Sequence, residues 1–136
     1  MNKTISTYIN GISGKMGQIL KDQIAQDSRF ILLGGSSLEK PLQMEDLTSV
    51  NLVIDFSSLA GNESLLKAVQ ASKKKHAVLL CTTALPQNIL SQWQELAAQG
   101  HRIFLAPNTS VGILILLKQA VSVALSTKSL CVTGSA

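Results

Sequence analysis

The amino-acid sequence predicts an α/β fold, a doubly wound parallel sheet formed by one domain over residues 1–136. Three observations carry this expectation. Short apolar, β-branched runs alternate with stretches of helical periodicity. Several of those runs, such as NLVIDF (51–56) and AVLLC (77–81), are apolar throughout, as strands covered on both faces are. The first run ends in Gly11, Gly14 and Gly17, spaced three apart, where a strand hands over to a helix.

Taken in order, Thr4–Asn10 reads as the first strand. Met16, Ile19, Leu20 and Ile24 then share one helical face. Phe30–Gly34 reads as a strand and Ser36–Ser49, the least regular stretch, as a loop. Leu52–Phe56 is the third strand, followed by a helical stripe of Leu65, Leu66 and Val69. Lys73, Lys74 and Lys75 read as a solvated helix end whose cations suit the negative pole of the dipole. His76–Cys81 is a strand, and Ile89, Leu90, Trp93, Leu96 and Ala97 form another helical stripe. Arg102–Ala106 and Leu130–Thr133 are the last two strands. The helix between them, about 110–125, is apolar nearly all round: either it is sandwiched, or whatever covers it lies outside this chain.

Composition narrows the function classes. The chain is 46% hydrophobic and 15% charged, with a net charge of +4 and 4% aromatics. Its mean hydropathy of +0.27 fits buried strands or an apolar surface that meets a partner. A nucleic-acid binder would carry a broader basic face and stacking aromatics, so no nucleic-acid partner is expected. VGILILLKQAVSVAL (111–125) is broken by Lys118 and falls short of the roughly 20 residues that span a bilayer. A cytoplasmic protein with no membrane partner is the expectation. Cys81 and Cys131 sit in apolar runs and read as buried small side chains, with neither metal-type spacing nor a disulfide framework. His76 and His101 read as surface histidines.

The glycine turn, Gly11-Ile12-Ser13-Gly14-Lys15-Met16-Gly17, is the strongest local signal. A triphosphate-binding Walker loop requires G-x-x-x-x-G-K-[ST], but Ile9 holds the first glycine's place and Met16 that of the Ser/Thr. The spacing G-x-x-G-x-x-G is instead a variant of the dinucleotide fingerprint of Rossmann-type sheets. In that reading Gly11 permits the turn and Gly14 lets a pyrophosphate approach backbone N–H groups. Gly17 lets the helix pack close to the sheet, Ser13 adds a hydroxyl and Lys15 a cation. A glycine-rich turn without a ligand is the competing reading; the strand–turn–helix context weighs against it. The second strand ends in Leu33-Gly34-Gly35-Ser36-Ser37, with no carboxylate for the ribose hydroxyls. Glu39 and Lys40 follow, which leaves NADPH and NADH both open.

Three further strand ends carry polar or small residues: Asp55-Phe56-Ser57-Ser58, Cys81-Thr82-Thr83-Ala84 and Ala106-Pro107-Asn108-Thr109-Ser110. Ser58 or Asn62, Thr83, and Thr109 or Ser110 are also good helix caps.

GISGKMG (11–17), VIDFS (53–57), CTTA (81–84) and APNTSVG (106–112), in this order, resemble the amino-terminal half of the 4-hydroxy-tetrahydrodipicolinate (dihydrodipicolinate) reductase family. That family reads G-x-x-G-[RK]-M-G, I-D-F-[ST], G-T-T-G and A-x-N-[FMT]-S-[VI]-G. The resemblance implies a cytoplasmic reductase of lysine and diaminopimelate biosynthesis, passing hydride from NADPH or NADH to a cyclic unsaturated dicarboxylate. It implies that Gly11, Ile12, Ser13, Gly14, Lys15 and Met16 cradle the pyrophosphate. Ser37 falls where the family often has an acid. Phe56 would flank the cofactor and Asp55 anchor its turn. Cys81, Thr82 and Thr83 would lie near the nicotinamide, and Ala106, Pro107, Asn108 and Thr109 would close over its carboxamide. Cys81 and Ala84 stand where the family has glycines. The family's E-x-H-H-x-x-K segment, with its second domain, is not in this chain. No catalytic residue and no metal ligand is therefore assigned, and the chain alone is expected to be inactive. A homo-oligomer is expected where the second domain is present. The readings kept beside this one are a non-catalytic nucleotide-binding or assembly module and another small-substrate NAD(P)-dependent dehydrogenase.

Overall fold

The computed structural model describes residues 4–82, 84–106, 113–125 and 130–133. Its elements are β1 (Ile5–Asn10), α1 (Lys15–Ala25), β2 (Phe30–Ser36), a 3-10 turn (Met44–Leu47), β3 (Leu52–Asp55), α2 (Leu59–Ala71), β4 (Ala77–Leu80), α3 (Gln87–Ala98), β5 (Arg102–Leu105), α4 (Ile113–Ala124) and β6 (Leu130–Thr133). The six strands form one parallel sheet in the order β2-β1-β3-β4-β5-β6. The expected doubly wound sheet is therefore present.

Every residue of β3 and β4 is buried, which explains their unbroken apolar runs. Tyr8, Val53, Val78, Leu80 and Ile103 point to one face, where Leu65 and Val69 of α2 and Trp93 and Leu96 of α3 cover them. Ile9, Leu52, Ile54 and Leu79 point to the other face, against Leu20 and Ile24 of α1 and Leu117, Ala120 and Val123 of α4. The chain leaves β1 for β2 on one side and returns to β3 on the other. The carboxyl ends of β1 and β3 thus flank the switch point, where open sheets of this kind bind ligands.

The last crossover breaks a rule. α1 lies on one face as the chain steps from β1 to β2, and α2 and α3 lie on the other face as it steps the opposite way. These three crossovers share one hand, the right hand by the general rule. α4 carries the chain from β5 to β6 in the same direction as α2 and α3 but on the α1 face. Its crossover therefore has the opposite hand.

Several sequence expectations need correction. Ile19 does not join the α1 core stripe; it is 40% exposed. β2 runs two residues further than expected, to Ser36. The loop after it is packed rather than irregular: Leu42, Leu47 and Val50 are buried. Its 3-10 turn is held by reciprocal Gln43–Asp46 capping and by the Tyr8 hydroxyl, which donates to Asp46 at 3.4 Å. The lysine run lies past the end of α2, with Lys73 and Lys75 exposed. α3 starts after Pro86 rather than from Thr83, which lies outside the described residues. In the second half of α4, Lys118 and Ser122 are exposed opposite the buried Leu117, Ala120 and Val123, so that half is amphipathic.

The largest correction concerns the histidines. His76 and His101 are buried, not on the surface. Their rings stack with centroids 6.0 Å apart. His76 Nδ1 lies 2.8 Å from the Val50 carbonyl and so carries the proton, while Nε2 lies 2.8 Å from the Ser72 hydroxyl. The backbone N–H of His76 donates to His101 Nδ1, which is therefore unprotonated. Both rings are neutral and lock the starts of β4 and β5 to β3 and α2. Burial lowers the pKa of His76, and burial with the nearby Lys75 charge lowers that of His101 to about 4.

Among the described residues, no helix is long and apolar enough to cross a membrane, and no cluster of side chains is arranged to hold a metal.

Candidate functional site

The switch point opens into a cleft of about 350 Å³. Asn10, Gly11, Ser13 and Gly14 line it from the β1 end and its turn. Ser37, Leu38, Pro41 and Leu42 line it from beyond β2, and Phe56, Ser57, Ser58, Ala60, Gly61 and Ser64 from the β3–α2 connection. None of these residues is charged.

The three glycines of the turn differ in what they do. Gly11 has φ +91°, and a Cβ there would come within 2.8 Å of the Phe56 backbone. It is required by the conformation and by the close approach of β3. A Cβ on Gly17 would overlap the Gly11 carbonyl oxygen and meet the Ile12 backbone at 2.8 Å. Gly17 therefore lets α1 close onto the turn itself rather than onto the sheet. Gly14 is neither strained nor crowded: its φ is −72°, and an added Cβ would touch only the Gly11 oxygen, at 3.5 Å. The protein's own packing accounts for Gly11 and Gly17 but not for Gly14, which faces the cleft.

The same turn presents donors without acceptors. Gly11 and Ile12 both donate to the Ser36 carbonyl, and Gly14 donates to Gly11. Among the described residues, no acceptor takes the N–H of Ser13, Lys15 or Met16. Gly14 occupies the N-cap of α1 without a side chain to cap it, and the first turn holds no acid. The positive pole of α1 thus meets the cleft with its donors free, an arrangement that suits an anion.

Beneath the turn lies a polar network centred on Asp55, which is fully buried. Its Oδ1 accepts from Asn10 Nδ2 at 3.0 Å and from the Ser57 N–H at 3.1 Å, as well as from the Ser57 hydroxyl. Its Oδ2 accepts from Asn62 Nδ2 and the Thr82 hydroxyl, each at 2.7 Å. Asn10 also donates to the Gly61 carbonyl, and Ser36 donates to Asn10. Trp93 Nε1 donates to Asn62 Oδ1 at 3.0 Å, so the network reaches into the α3 core. The carboxyl ends of β1, β2, β3 and β4 are thereby tied together. Ser58, not Asn62, caps α2, accepting from the Gly61 N–H.

The structure brings Gly11, Ser13, Gly14, Ser37 and Phe56 of the expected site residues to the cleft wall. Ile12 is half-buried, its side chain filling the space above Gly35. Lys15 is exposed and Met16 half-buried at the start of α1. Ser37 turns the chain, its hydroxyl accepting from the Lys40 N–H. Cys81 points into the core of the α1 and α4 face, where burial pushes its thiol up to about 12. The Thr82 hydroxyl is committed to Asp55, and Ala106 packs against the α4 side of the sheet. Thr83, Pro107, Asn108 and Thr109 lie outside the described residues. Ala84, at a position where the resemblance implies a glycine, has φ +59°, a left-handed conformation that costs an alanine about 1 kcal/mol.

Sequence reasoning did not single out Asn10, Leu38, Pro41, Leu42, Ala60, Gly61 or Ser64 as cleft residues. Asn10 offered a signal, a polar residue closing an apolar strand just before Gly11. The others join the cleft only through the packed loop after β2 and the pitch of α2.

Known proteins resemble this chain over most of its length. A family model described as "Dihydrodipicolinate reductase, N-terminus" matches residues 5–109. The 4-hydroxy-tetrahydrodipicolinate reductase of Chlamydia abortus is 32% identical over 79% of this chain and 44% of its own length. That of Caldanaerobacter subterraneus subsp. tengcongensis is 31% identical over 83% of this chain and 47% of its own. The Lawsonia intracellularis enzyme of the same name is 29% identical over 84% and 48%. The chain spans less than half the length of these curated relatives. The chain therefore belongs to the dihydrodipicolinate reductase family and corresponds to its amino-terminal region.

Proposed function

We propose that this chain is the dinucleotide-binding part of an NAD(P)H-dependent 4-hydroxy-tetrahydrodipicolinate reductase of lysine and diaminopimelate biosynthesis, working in the cytoplasm. The observation that carries the reading is Gly14: a glycine the fold does not need, lining the cleft at the mouth of a helix whose first N–H groups are free among the described residues. A diphosphate fits there. Its negative charge meets the free donors of Ser13, Lys15 and Met16, and the missing Cβ gives it room.

The topology supports one order for the rest of the dinucleotide. Adenosine lies toward Ser37, Leu38 and Pro41 beyond β2, and nicotinamide toward the ends of β3 and β4, past Phe56 and Thr82. The cleft wall carries no carboxylate to hold the ribose diol or repel a 2′-phosphate, which supports acceptance of NADPH as well as NADH. Bound cofactor supplies the hydride; the chain's own residues orient it and exclude water from the diphosphate. The acceptor, a cyclic unsaturated dicarboxylate, rests on family membership. His76 and His101 take no part, because they are buried at the amino-terminal ends of β4 and β5, away from the carboxyl ends that flank the cleft.

Titration of NADPH and NADH, followed by nicotinamide fluorescence, tests the reading. Saturable micromolar binding of at least one is expected. Failure of both to bind at millimolar concentration would overturn it. Binding without turnover of the cyclic substrate would leave the chain a nucleotide-binding module.

A further inference from the structure

Asp55 does not line the cleft, yet it joins the strand that leads into the cleft's glycine turn to the end of β4 beyond it. On one side its Oδ1 holds Asn10, the residue that leads into the glycine turn. On the other its Oδ2 holds Thr82, at the end of β4. The two sides are not equally dependent on it. Asn10 has other anchors, the Gly61 carbonyl at 2.9 Å, Ser57 at 3.2 Å and the Ser36 hydroxyl. The Thr82 hydroxyl has only one further acceptor, the Ser57 carbonyl at 3.2 Å. No cation pairs with the carboxyl among the described residues. It is satisfied by donors alone, and those donors come from four separate elements.

We propose that Asp55 is a positioning residue that sets the distance between the glycine turn and the β4 end, and so selects for a ligand long enough to span both. The proposal rests on the dinucleotide reading above. A ligand confined to the turn and the adenosine side, such as ADP, touches only the half that keeps its anchors. A full dinucleotide also needs the β4 end held at the right separation.

Asp55→Ala removes the Oδ2 acceptor that holds the Thr82 hydroxyl, while Asn10 keeps the Gly61 carbonyl, Ser57 and the Ser36 hydroxyl. Asp55→Asn would not serve, because the Thr82 hydroxyl can turn to accept from the new NH₂ and donate to the Ser57 carbonyl. In Asp55→Ala the β4 tether therefore fails while the Asn10 side keeps its other anchors. Calorimetric titration of wild type and variant with ADP, and with whichever of NADPH and NADH binds the wild type more tightly, separates the cases. The expected result is a loss of about tenfold or more for the dinucleotide and less than about twofold for ADP. Equal losses for both ligands would overturn the proposal and make Asp55 an ordinary structural residue; so would no loss for either. Wild-type protein that binds neither ligand would sink the dinucleotide reading itself, a distinct outcome visible before any variant is made.

Should Asp55→Ala fail to fold, a milder route is Thr82→Val, which cuts the β4 tether and leaves the Asn10 side intact. It should reproduce the selective loss, and Thr82→Ser should restore it. Where Asp55→Ala does fold, the double variant should lose no more dinucleotide affinity than Asp55→Ala alone, since both changes cut the same tether. Additive losses would mean that Thr82 touches the ligand itself and that Asp55 does not act through it.

Discussion

Replacing each glycine of the turn by alanine separates the ligand's needs from the protein's. In Gly14→Ala the new methyl group meets only the Gly11 oxygen, at 3.5 Å, an ordinary contact, with φ at −72°. Loss of glycine's unfolded-state freedom stabilises, and alanine is a slightly poorer N-cap than glycine. These effects oppose each other and leave stability within about 1 kcal/mol of wild type. In Gly17→Ala the methyl group overlaps the Gly11 carbonyl, with Ile12 backbone atoms at 2.8 and 2.9 Å. Backbone cannot yield as a flexible side chain can, so a cost of about 3 kcal/mol is expected. For a chain of this length that lowers the melting temperature by roughly 10 °C. Binding should rank the pair the other way. Gly14→Ala should lose at least about tenfold in dinucleotide affinity, or 1.4 kcal/mol, because its methyl group occupies the diphosphate's approach. Thermal melts and cofactor titrations on both variants make the assay. A folded Gly14→Ala protein that binds like wild type would refute the reasoning about the site. A Gly17→Ala protein that melts like wild type would refute the packing argument.

Other predictions follow from the core. His76 and His101 are neutral when buried, with pKa values below the ordinary 6.5. Their stabilising contribution is therefore complete above about pH 6.5 and is lost as the pH falls toward about 4 for His101. Stability should drop across that window by at most about 1.4 kcal/mol per pH unit for each histidine, seen as a falling melting temperature. His101→Asn, which keeps an acceptor for the His76 N–H, should flatten the profile; an unchanged slope would contradict the assignment. Ala84→Gly should raise stability by about 0.5–1 kcal/mol, measured by denaturant unfolding, because it relieves the positive φ. Cys81, buried with its thiol pushed up to about 12, should resist thiol reagents at pH 8 until the chain unfolds. Mass mapping of the labelled peptide would check this.

Much of the fold was legible because it rests on local pattern. The runs NLVIDF and AVLLC announce strands buried on both faces, and the Ile89–Trp93–Leu96 stripe announces α3. The turn's position between β1 and α1 was legible too. What its spacing could not reveal is that Gly11 and Gly17 serve the backbone while Gly14 serves open space, since that depends on what a Cβ would meet. The histidine pair escaped for a related reason. His76 and His101 are 25 residues apart in sequence, and only the pairing of β4 with β5 brings them together and strips them of water. The loop after β2 looked irregular because its anchors, Leu42, Leu47, Val50 and the Tyr8–Asp46 bond, follow no period. Asp55 looked like a turn anchor, and its hold on β1, β4 and α2 emerges only in three dimensions. The hand of the last crossover, set by which face α4 covers, carries no local sequence mark.

Amide-resolved NMR during a NADPH titration goes straight to the claim that backbone donors at the start of α1 grip the diphosphate. The largest shifts should fall on the amides of Ser13, Gly14, Lys15 and Met16, with smaller ones at Ser37 and Ser57 along the cleft. Saturable binding that leaves the Ser13–Met16 amides unmoved, or that shifts only residues away from this cleft, would contradict it.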